Sequence, residues 1–360
     1  MSEDIKLFVS CHKLDTHIPD NALLQPIQVG AALAASRMPN LLHDDEGDSI
    51  SEKNRSYCEL TGQYWAWQNT DADYYGFLHY RRYFNFSKTE YPIHHEPFIF
   101  GDVTFDRNDD ETLQRIDFNE EAMRKVITAH DFIAPEPIEA LEKTTVYEQY
   151  RDSFGHHIED LDTVMDNIRL KYPDIWPSAQ KYLNQTKVYV CNMFVMRREL
   201  FRAYSAFLFD VLSTHEKMRD FSHYSPVARR VSGYLGERIC GMYLTYLYDK
   251  GYDGIDLQRV YFRNTDDGQR PATATGTTSE IETLNFGATV RGPGKIYSAI
   301  HAEHLSDDWQ FRISSTTSDG KQVPAKVVQA ASDPVAVFPI VAQSQTVSVS
   351  AVDSDGRTRA

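Results

Sequence analysis

The sequence predicts an α/β domain over residues 1–265, followed by a linker and a small all-β, sandwich-like domain over residues 266–360. Three observations point there. Between residues 5 and 82 an apolar run, a helical stretch and a second apolar run follow one another, the strand–helix–strand order of an α/β sheet. "KVYVCNMFVMRRELFRAYSAFLFDVL" reads as a central strand turning directly into a long helix. From about residue 266 the pattern changes to short strands between turn signals. A chain of 360 residues has room for two such units, and 41% hydrophobic with 12% aromatic residues supply an ample core.

Taken in order, "IKLFVSCHK" is apolar and β-rich and reads as a buried first strand ending near Ser10 to Lys13. "PIQVGAALAA", residues 26–35, fits strand and helix equally. In "GDSISEKNRSYCELTGQYWAWQN", Ser49 with Glu52 three residues later forms a capping-box pattern. Tyr57, Leu60, Tyr64 and Trp67 recur at helical spacing, which predicts one helix from about residue 50 to 69. The turn "TDAD" delivers the chain into the strand "YYGFLHYRR". "NEEAMRKVITAH" is an amphipathic helix feeding the short strand "DFIAP", and "HIEDLDTVMDNIRLKY" is a helix with Ile158, Leu161, Met165 and Ile168 on one face. "GYLGERICGMYLTYLYDKG" reads as a helix closed by Gly251, and "IDLQRVYFRN" as the last strand of the unit. "TDDGQRPATATGTTSE" is the linker; "KIYSAIHAEHL", "WQFRISSTT", "AVFPIVA" and "TVSVSAV" are short strands behind it.

Composition removes several functions. A formal charge of −15 repels nucleic acid and anionic lipid in bulk, so an anionic ligand has to be met by a local basic cluster, and no nucleic-acid partner is expected. The longest apolar runs, such as "VYVCNMFVM", fall far short of a bilayer span, and "MSEDIKLFVS" lacks the basic and apolar regions of a secretory signal. The expectation is a soluble cytoplasmic protein with at most peripheral contact at the inner face of the membrane. Cys11, Cys58, Cys191 and Cys240 show no CxxC spacing and read as reduced, packed thiols.

In an acidic chain, "YYGFLHYRRYF", residues 74–84, stands out: a strand leaving the core that ends in an imidazole and two guanidiniums. In an extended strand residues two apart share a face, so His79 and Arg81 point one way and Tyr80 and Arg82 the other. In many nucleotide-sugar transferases of the GT-A type, the strand after this helix ends in two carboxylates spaced i and i+2. They hold a divalent metal that neutralises the leaving diphosphate. Here that spacing offers His79 and Arg81, and a fixed guanidinium binds phosphate oxygens bidentately without a metal. The expectation is a diphosphate site with no divalent metal, with Arg82 beside it. The alternative is a strand end whose arginines bind carboxylates of a very acidic protein.

The string "GDSISEKN.SYCELTGQYWAWQN....YGFLHYRRYF", with "CNMFVM" and "GYLGER" downstream, resembles bacterial glycosyltransferase-like proteins of capsular, exopolysaccharide and O-antigen gene clusters. Some relatives of those proteins are galactofuranosyltransferases. The resemblance spans about residues 5–262 and leaves the C-terminal strands outside it. It implies a GT-A-like nucleotide-sugar transferase fold, a UDP-sugar donor as substrate with no further cofactor, and an oligosaccharide or lipid-linked glycan acceptor. In such folds Ser10, His12 and Lys13 lie where the nucleoside binds, with Lys13 available to phosphate; a polar strand end is equally a solvated loop. Asp48 and Asn54 suit a base or ribose contact, although Asp48 with Ser49 equally caps the helix. Tyr57, Trp65 and Trp67 have the spacing of a buried helical face and read as core. Asn192 is costly to bury alone, so it is either a structural hydrogen-bonding residue or a contact to the donor sugar. His156 and Asp160 in "HHIED" share a helical face, but two ligands do not make a metal site, and a surface or acceptor-cleft role is expected.

Transfer by inversion needs a carboxylate that removes the acceptor hydroxyl's proton as the anomeric centre becomes oxocarbenium-like. "GYLGERICGMY" offers Glu237 near a helix start, where comparable transferases place their base. The alternative is a first-turn glutamate favoured by the helix dipole. Asp131, at the start of "DFIAP", is the second candidate, and a retaining reaction needs no such base. Two other classes share parts of the pattern. A sugar-nucleotide hydrolase or nucleotidyltransferase would use a similar diphosphate site, ordinarily with a carboxylate-bound metal. A non-catalytic glycan-binding protein would read glycan with its C-terminal strands.

Overall fold

The computed structural model describes residues 3–12, 17–96, 99–139, 144–153 and 155–265, and beyond these the backbone of strands between 284 and 359. The chain divides into two units, Met1–Arg270 and Pro271–Ala360. In the first, β1 (Ile5–Cys11), β2 (Leu24–Gln28) and β3 (Leu42–His43) precede α1 (Asn54–Tyr57), α2 (Leu60–Asn69), β4 (Tyr74–His79) and β5 (Arg82–Phe84). The chain continues through β6 (Ile93–Glu96), β7 (Ile99–Arg107), α3 (Asp110–Arg115), α4 (Glu120–Ile127), β8 (Phe132–Pro135) and β9 (Ile138–Glu139). Then come α5 (Val146–Asp152), α6 (Ile158–Lys171), α7 (Trp176–Leu183), β10 (Lys187–Val188) and β11 (Phe194–Arg197). Last are the two long helices α8 (Arg198–Met218) and α9 (Val231–Asp249), with β12 (Gly254–Leu257) and β13 (Arg259–Asn264) closing the unit.

The central strands lie in the order β3-β2-β1-β4-β11-β8-β12, all parallel to their neighbours except β11, which runs against both β4 and β8. Because β11 is reversed, the turn before it falls at the carboxyl end of β4, beside His79. At that same end β5 folds back and pairs with β13, which pairs with β7 and so with β6. The strands read as near-continuous apolar runs because both faces are covered. Phe8, Tyr75, Phe77, Phe194 and Met196 face a core shared with α8 and α9, while Leu7, Val9, Leu78 and Val195 face a second core with Ile116, Met123 and Ile127.

Three local expectations are corrected. The helix expected over residues 50–69 is in two pieces: Cys58 takes φ 52 and ends α1, and α2 starts at Leu60. The break is held by Asn54 Nδ2, which donates to the Cys58 carbonyl at 2.7 Å and to the Thr61 hydroxyl at 3.1 Å. Ser49 forms no capping box; its hydroxyl donates to the Asp44 carbonyl at 2.6 Å and accepts the Ser51 N–H at 3.0 Å. The strand expected from residue 187 is interrupted by a turn at residues 191–192 before β11 begins.

In the second unit the backbone forms two four-stranded antiparallel sheets. One joins β14 (Leu284–Phe286), β15 (Val290–Gly292), β16 (Lys295–Ala302) and, after β17 (Gln310–Thr317) and β18 (Gln322–Gln329), β19 (Val335–Ile340). The other pairs β18 and β17 with β20 (Ser344–Val352) and β21 (Thr358–Arg359). The face-to-face packing that would make them a sandwich rests on side chains outside the described residues. Among the described residues no helix is long and apolar enough to cross a membrane.

Asp44 ties the loop after β3 to the rest of the unit. Its fully buried carboxylate accepts from Gly30 N–H (2.8 Å), Ala31 N–H (2.9 Å), the Ser51 hydroxyl (2.5 Å) and the Thr61 hydroxyl (2.5 Å). Four bonds fill the acceptor capacity of a carboxylate. Asp44→Ala strands these donors and is expected to cost on the order of 3 kcal/mol or more in urea denaturation; a loss below about 1 kcal/mol, the size of a single net hydrogen bond, would contradict it.

Candidate functional site

β4 stops at His79, whose partner across the hairpin is Arg82, with Tyr80 and Arg81 between them. This corrects the extended reading of "HYRR". Residues opposite one another in an antiparallel pair share a face, so His79 stands with Arg82 and not with Arg81. The parallel neighbour β1 brings Ser10, which is buried, into register with His79, and the Ser10 carbonyl accepts the Tyr80 N–H at 3.1 Å. The exposed His12 ring meets Tyr80 edge-on, with centroids 5.0 Å apart. Lys13 lies outside the described residues.

Beside them, Cys191 and Asn192 both take left-handed backbone, φ 76 and φ 46. Such residues cost about 1–3 kcal/mol each and persist where their surroundings hold them. The Cys191 N–H donates to Glu237 Oε1 at 2.8 Å, and the Cys191 carbonyl accepts from His79 Nε2 at 2.6 Å. Asn192 Nδ2 donates to Glu59 Oε1 at 2.7 Å and to the Gly233 carbonyl at 3.4 Å. Since a carbonyl only accepts, His79 carries its proton on Nε2 and presents Nδ1 as an acceptor. Burial, and then the charge of Arg82, lower its pKa to about 4. The ring is neutral at pH 7, so it offers a hydroxyl an acceptor and brings no positive charge to a diphosphate, which corrects its expected pairing with Arg81.

Glu237 is not in a first turn. α9 begins at Val231, which puts Glu237 about 9 Å along the helix, beyond the turn where the dipole acts. What places it is close packing of α9 on the break between α1 and α2. A Cβ on Gly233 would lie 3.0 Å from Cys58 Sγ, and one on Gly236 would lie 2.6 Å from Leu60 Cδ1. A larger residue at Gly236 would force the buried Leu60 side chain to shift, and one at Gly233 would press on Cys58. Glu237 Oε2 faces Arg238 Nη1 at 3.5 Å, and the buried Arg238 also donates to Gln149 Oε1 at 2.5 Å.

The basic cluster completes the site. The guanidiniums of Arg81 and Arg82 lie over the Tyr261 ring, 5.2 and 4.9 Å from its centroid. Asp102 is buried, pairs with the buried Arg259, and stands 4.0 Å from Arg82 Nε. Two guanidiniums, Arg82 and Arg259, thus meet one carboxylate at the carboxyl end of the central strand, and Arg81 lies beside Arg82 on the same tyrosine ring.

The structure brings together Ser10, His12, His79, Arg81, Arg82, Asn192 and Glu237. Asn54 stays close, its amide committed to the helix break. Asp48 does not join them: its backbone is held by the Asn69 side chain, and its carboxylate accepts from Tyr64 OH at 3.2 Å. Asp131 lies at the opposite end of the sheet, where it pairs with Arg197 at 3.0 Å and accepts the Asp253 N–H at 2.9 Å. Nor are His156 and Asp160 a surface pair. Asp160 is fully buried and accepts from His215, Arg219 and Tyr224, while His156 is half-buried between the Tyr150 and Tyr234 rings. Glu59, Asp102, Arg259 and Tyr261 escaped the sequence reading because only long-range pairing assembles them.

The chain is similar to the apo structure of WbbM, a bifunctional glycosyltransferase, at 30% identity and a TM-score of 0.68, over 72% of this chain and 46% of that one. It therefore spans less than half the length of that relative. Residues 6–248 match the family described as "Domain of unknown function (DUF4422)", and the chain belongs to that family. No curated protein matches it.

The His79 assignment fixes a pH dependence. Its folded pKa lies below its unfolded value of about 6.5, so the unfolded state binds the proton more readily. The stability it contributes is complete above that value and is lost as pH falls toward 4. NMR titration of the His79 ring is expected to show a midpoint near 4 with the proton on Nε2; a midpoint above 6 would contradict the assignment.

Proposed function

We propose that the chain is a glycosyltransferase of GT-A-like fold that moves a sugar from a UDP-sugar to a bacterial surface-polysaccharide acceptor, with galactofuranose among the candidate sugars. The acceptor is an oligosaccharide or a lipid-linked glycan met from the cytoplasmic side. The likeness to a bifunctional glycosyltransferase supports the reaction class. The observation that carries the reading is the presence of two stacked guanidiniums, Arg81 and Arg82, and a held carboxylate, Glu237, around His79 at one end of β4.

On this reading the two guanidiniums bind the diphosphate and stabilise its growing charge as the bond to the anomeric carbon lengthens. His79 Nδ1 and Asn192 contact donor hydroxyls, and Ser10 and His12 border the nucleoside. Glu237 Oε1 is occupied by the Cys191 N–H, so Oε2 removes the acceptor hydroxyl's proton while that oxygen attacks from the face opposite the leaving group, inverting the centre. The transfer is metal-independent: where metal-using transferases carry paired carboxylates, this strand end carries His79 and Arg82.

A thermal-shift screen of nucleotide sugars, run with and without EDTA beside initial rates, tests this. UDP-sugar is expected to stabilise the protein equally in both conditions, and Arg81→Ala to lose the shift. Glu237→Gln is expected to keep the shift while turnover falls about 10²- to 10⁴-fold. A response abolished by EDTA and restored by manganese would contradict metal independence, and near wild-type turnover of Glu237→Gln would remove it from the mechanism.

A further inference from the structure

The strand that holds the two arginines lies beyond the family match. That match ends at residue 248, whereas β13 spans Arg259–Asn264. Yet β13 closes the hairpin: Tyr261 is in register with Arg82, and the Phe262 N–H donates to the Arg81 carbonyl at 3.0 Å. Two residues before Tyr261, Arg259 pairs with buried Asp102, whose other oxygen faces Arg82. Arg82 is thus fixed from two sides, by a carboxylate and by an aromatic face. Arg81 differs: its guanidinium rests on two rings, Tyr261 at 5.2 Å and Tyr80 at 5.4 Å.

A long arginine side chain has many rotamers, and one left to sample them binds a phosphate weakly because ordering it offsets the gain. Stacking on a ring removes that freedom beforehand and fixes the plane of the donor fork. Tyr261 does so for both guanidiniums at once, and it is itself buried on a strand paired on both sides, with β5 and β7.

We propose that Tyr261 is a positioning residue of the donor site: its ring holds Arg81 and Arg82 side by side, so that both present N–H groups to one nucleoside diphosphate. This rests on the donor reading above. It makes residues outside the family match part of the binding machinery, and it separates the ring's face, which matters, from its hydroxyl, which does not.

Calorimetry with UDP as the probe, on the full chain, tests it, with thermal melts of every variant. Tyr261→Leu keeps apolar volume but removes the face, and is expected to weaken UDP about tenfold or more. Tyr261→Phe restores the face and is expected to bind within about threefold of wild type. Arg81→Ala, costly in the wild-type background, is expected to add little in the Tyr261→Leu background, because the two changes remove one interaction. A purely structural tyrosine would instead lower the melting temperature while leaving UDP affinity and this coupling unchanged, and that result overturns the proposal. If Tyr261→Leu does not fold, Arg81→Lys replaces it: the charge stays, the planar fork goes, and wild-type affinity would overturn the proposal. Should wild-type protein bind none of UDP, GDP or dTDP, the donor reading fails and the proposal with it, an outcome distinct from UDP binding that ignores Tyr261.

Discussion

Two consecutive non-glycine residues in left-handed backbone, Cys191 and Asn192, are the constraint on which the site depends. Their conformation turns the chain so that β11 enters the sheet against β4, and it aims three groups outward. The Cys191 N–H fixes Glu237, the Cys191 carbonyl fixes the tautomer of His79, and the Asn192 amide reaches Glu59 at the start of α2. One turn therefore links the central strand, the broken helix and α9. The strain is tolerable because the Cys191 N–H, the Cys191 carbonyl and the Asn192 Nδ2 each meet a partner on a rigid element.

Charge is distributed by the same logic. The chain carries −15 overall, and its site is the exception, with Arg82 and Arg259 against buried Asp102 and Arg81 stacked beside them on Tyr261. Burying a cation requires a nearby counter-charge, which Asp102 gives Arg259 and Glu237 gives Arg238. Arg81, half-buried over an aromatic ring, is the guanidinium held by packing instead of by a carboxylate. A bound diphosphate would bring the oxygens that it lacks.

Much of this was legible in the sequence wherever a regularity is local. Hydrophobic period announced β1, β4, β8, α6 and α9, and an imidazole with two guanidiniums in an acidic chain singled out the end of β4 as the candidate site. What escaped depends on distant partners. The break at Cys58 is set by Asn54 and by two glycines of α9, so the helical spacing of Tyr57, Leu60, Tyr64 and Trp67 gave no warning. The hairpin at Tyr80–Arg81 lacks the Asn-Gly or Asp-Gly chemistry of common two-residue turns; β13, from the far end of the unit, supplies the pairing that folds β5 back. Glu237 was visible as a carboxylate but its holder, Cys191, was not. Asp44, not Asp48, anchors the loop, and nothing in their shared acidic stretch distinguishes a buried carboxylate from an exposed one.

The central claim is that the carboxyl end of β4 receives a nucleoside diphosphate on Arg81 and Arg82 and faces Glu237. A crystal structure of the protein with bound UDP tests this most directly. The account predicts both phosphates within hydrogen-bond reach of the two guanidiniums, with Glu237 Oε2 open toward the space where an acceptor would lie. UDP bound elsewhere, or bound at this end through the nucleoside with both arginines turned away from its phosphates, would contradict it.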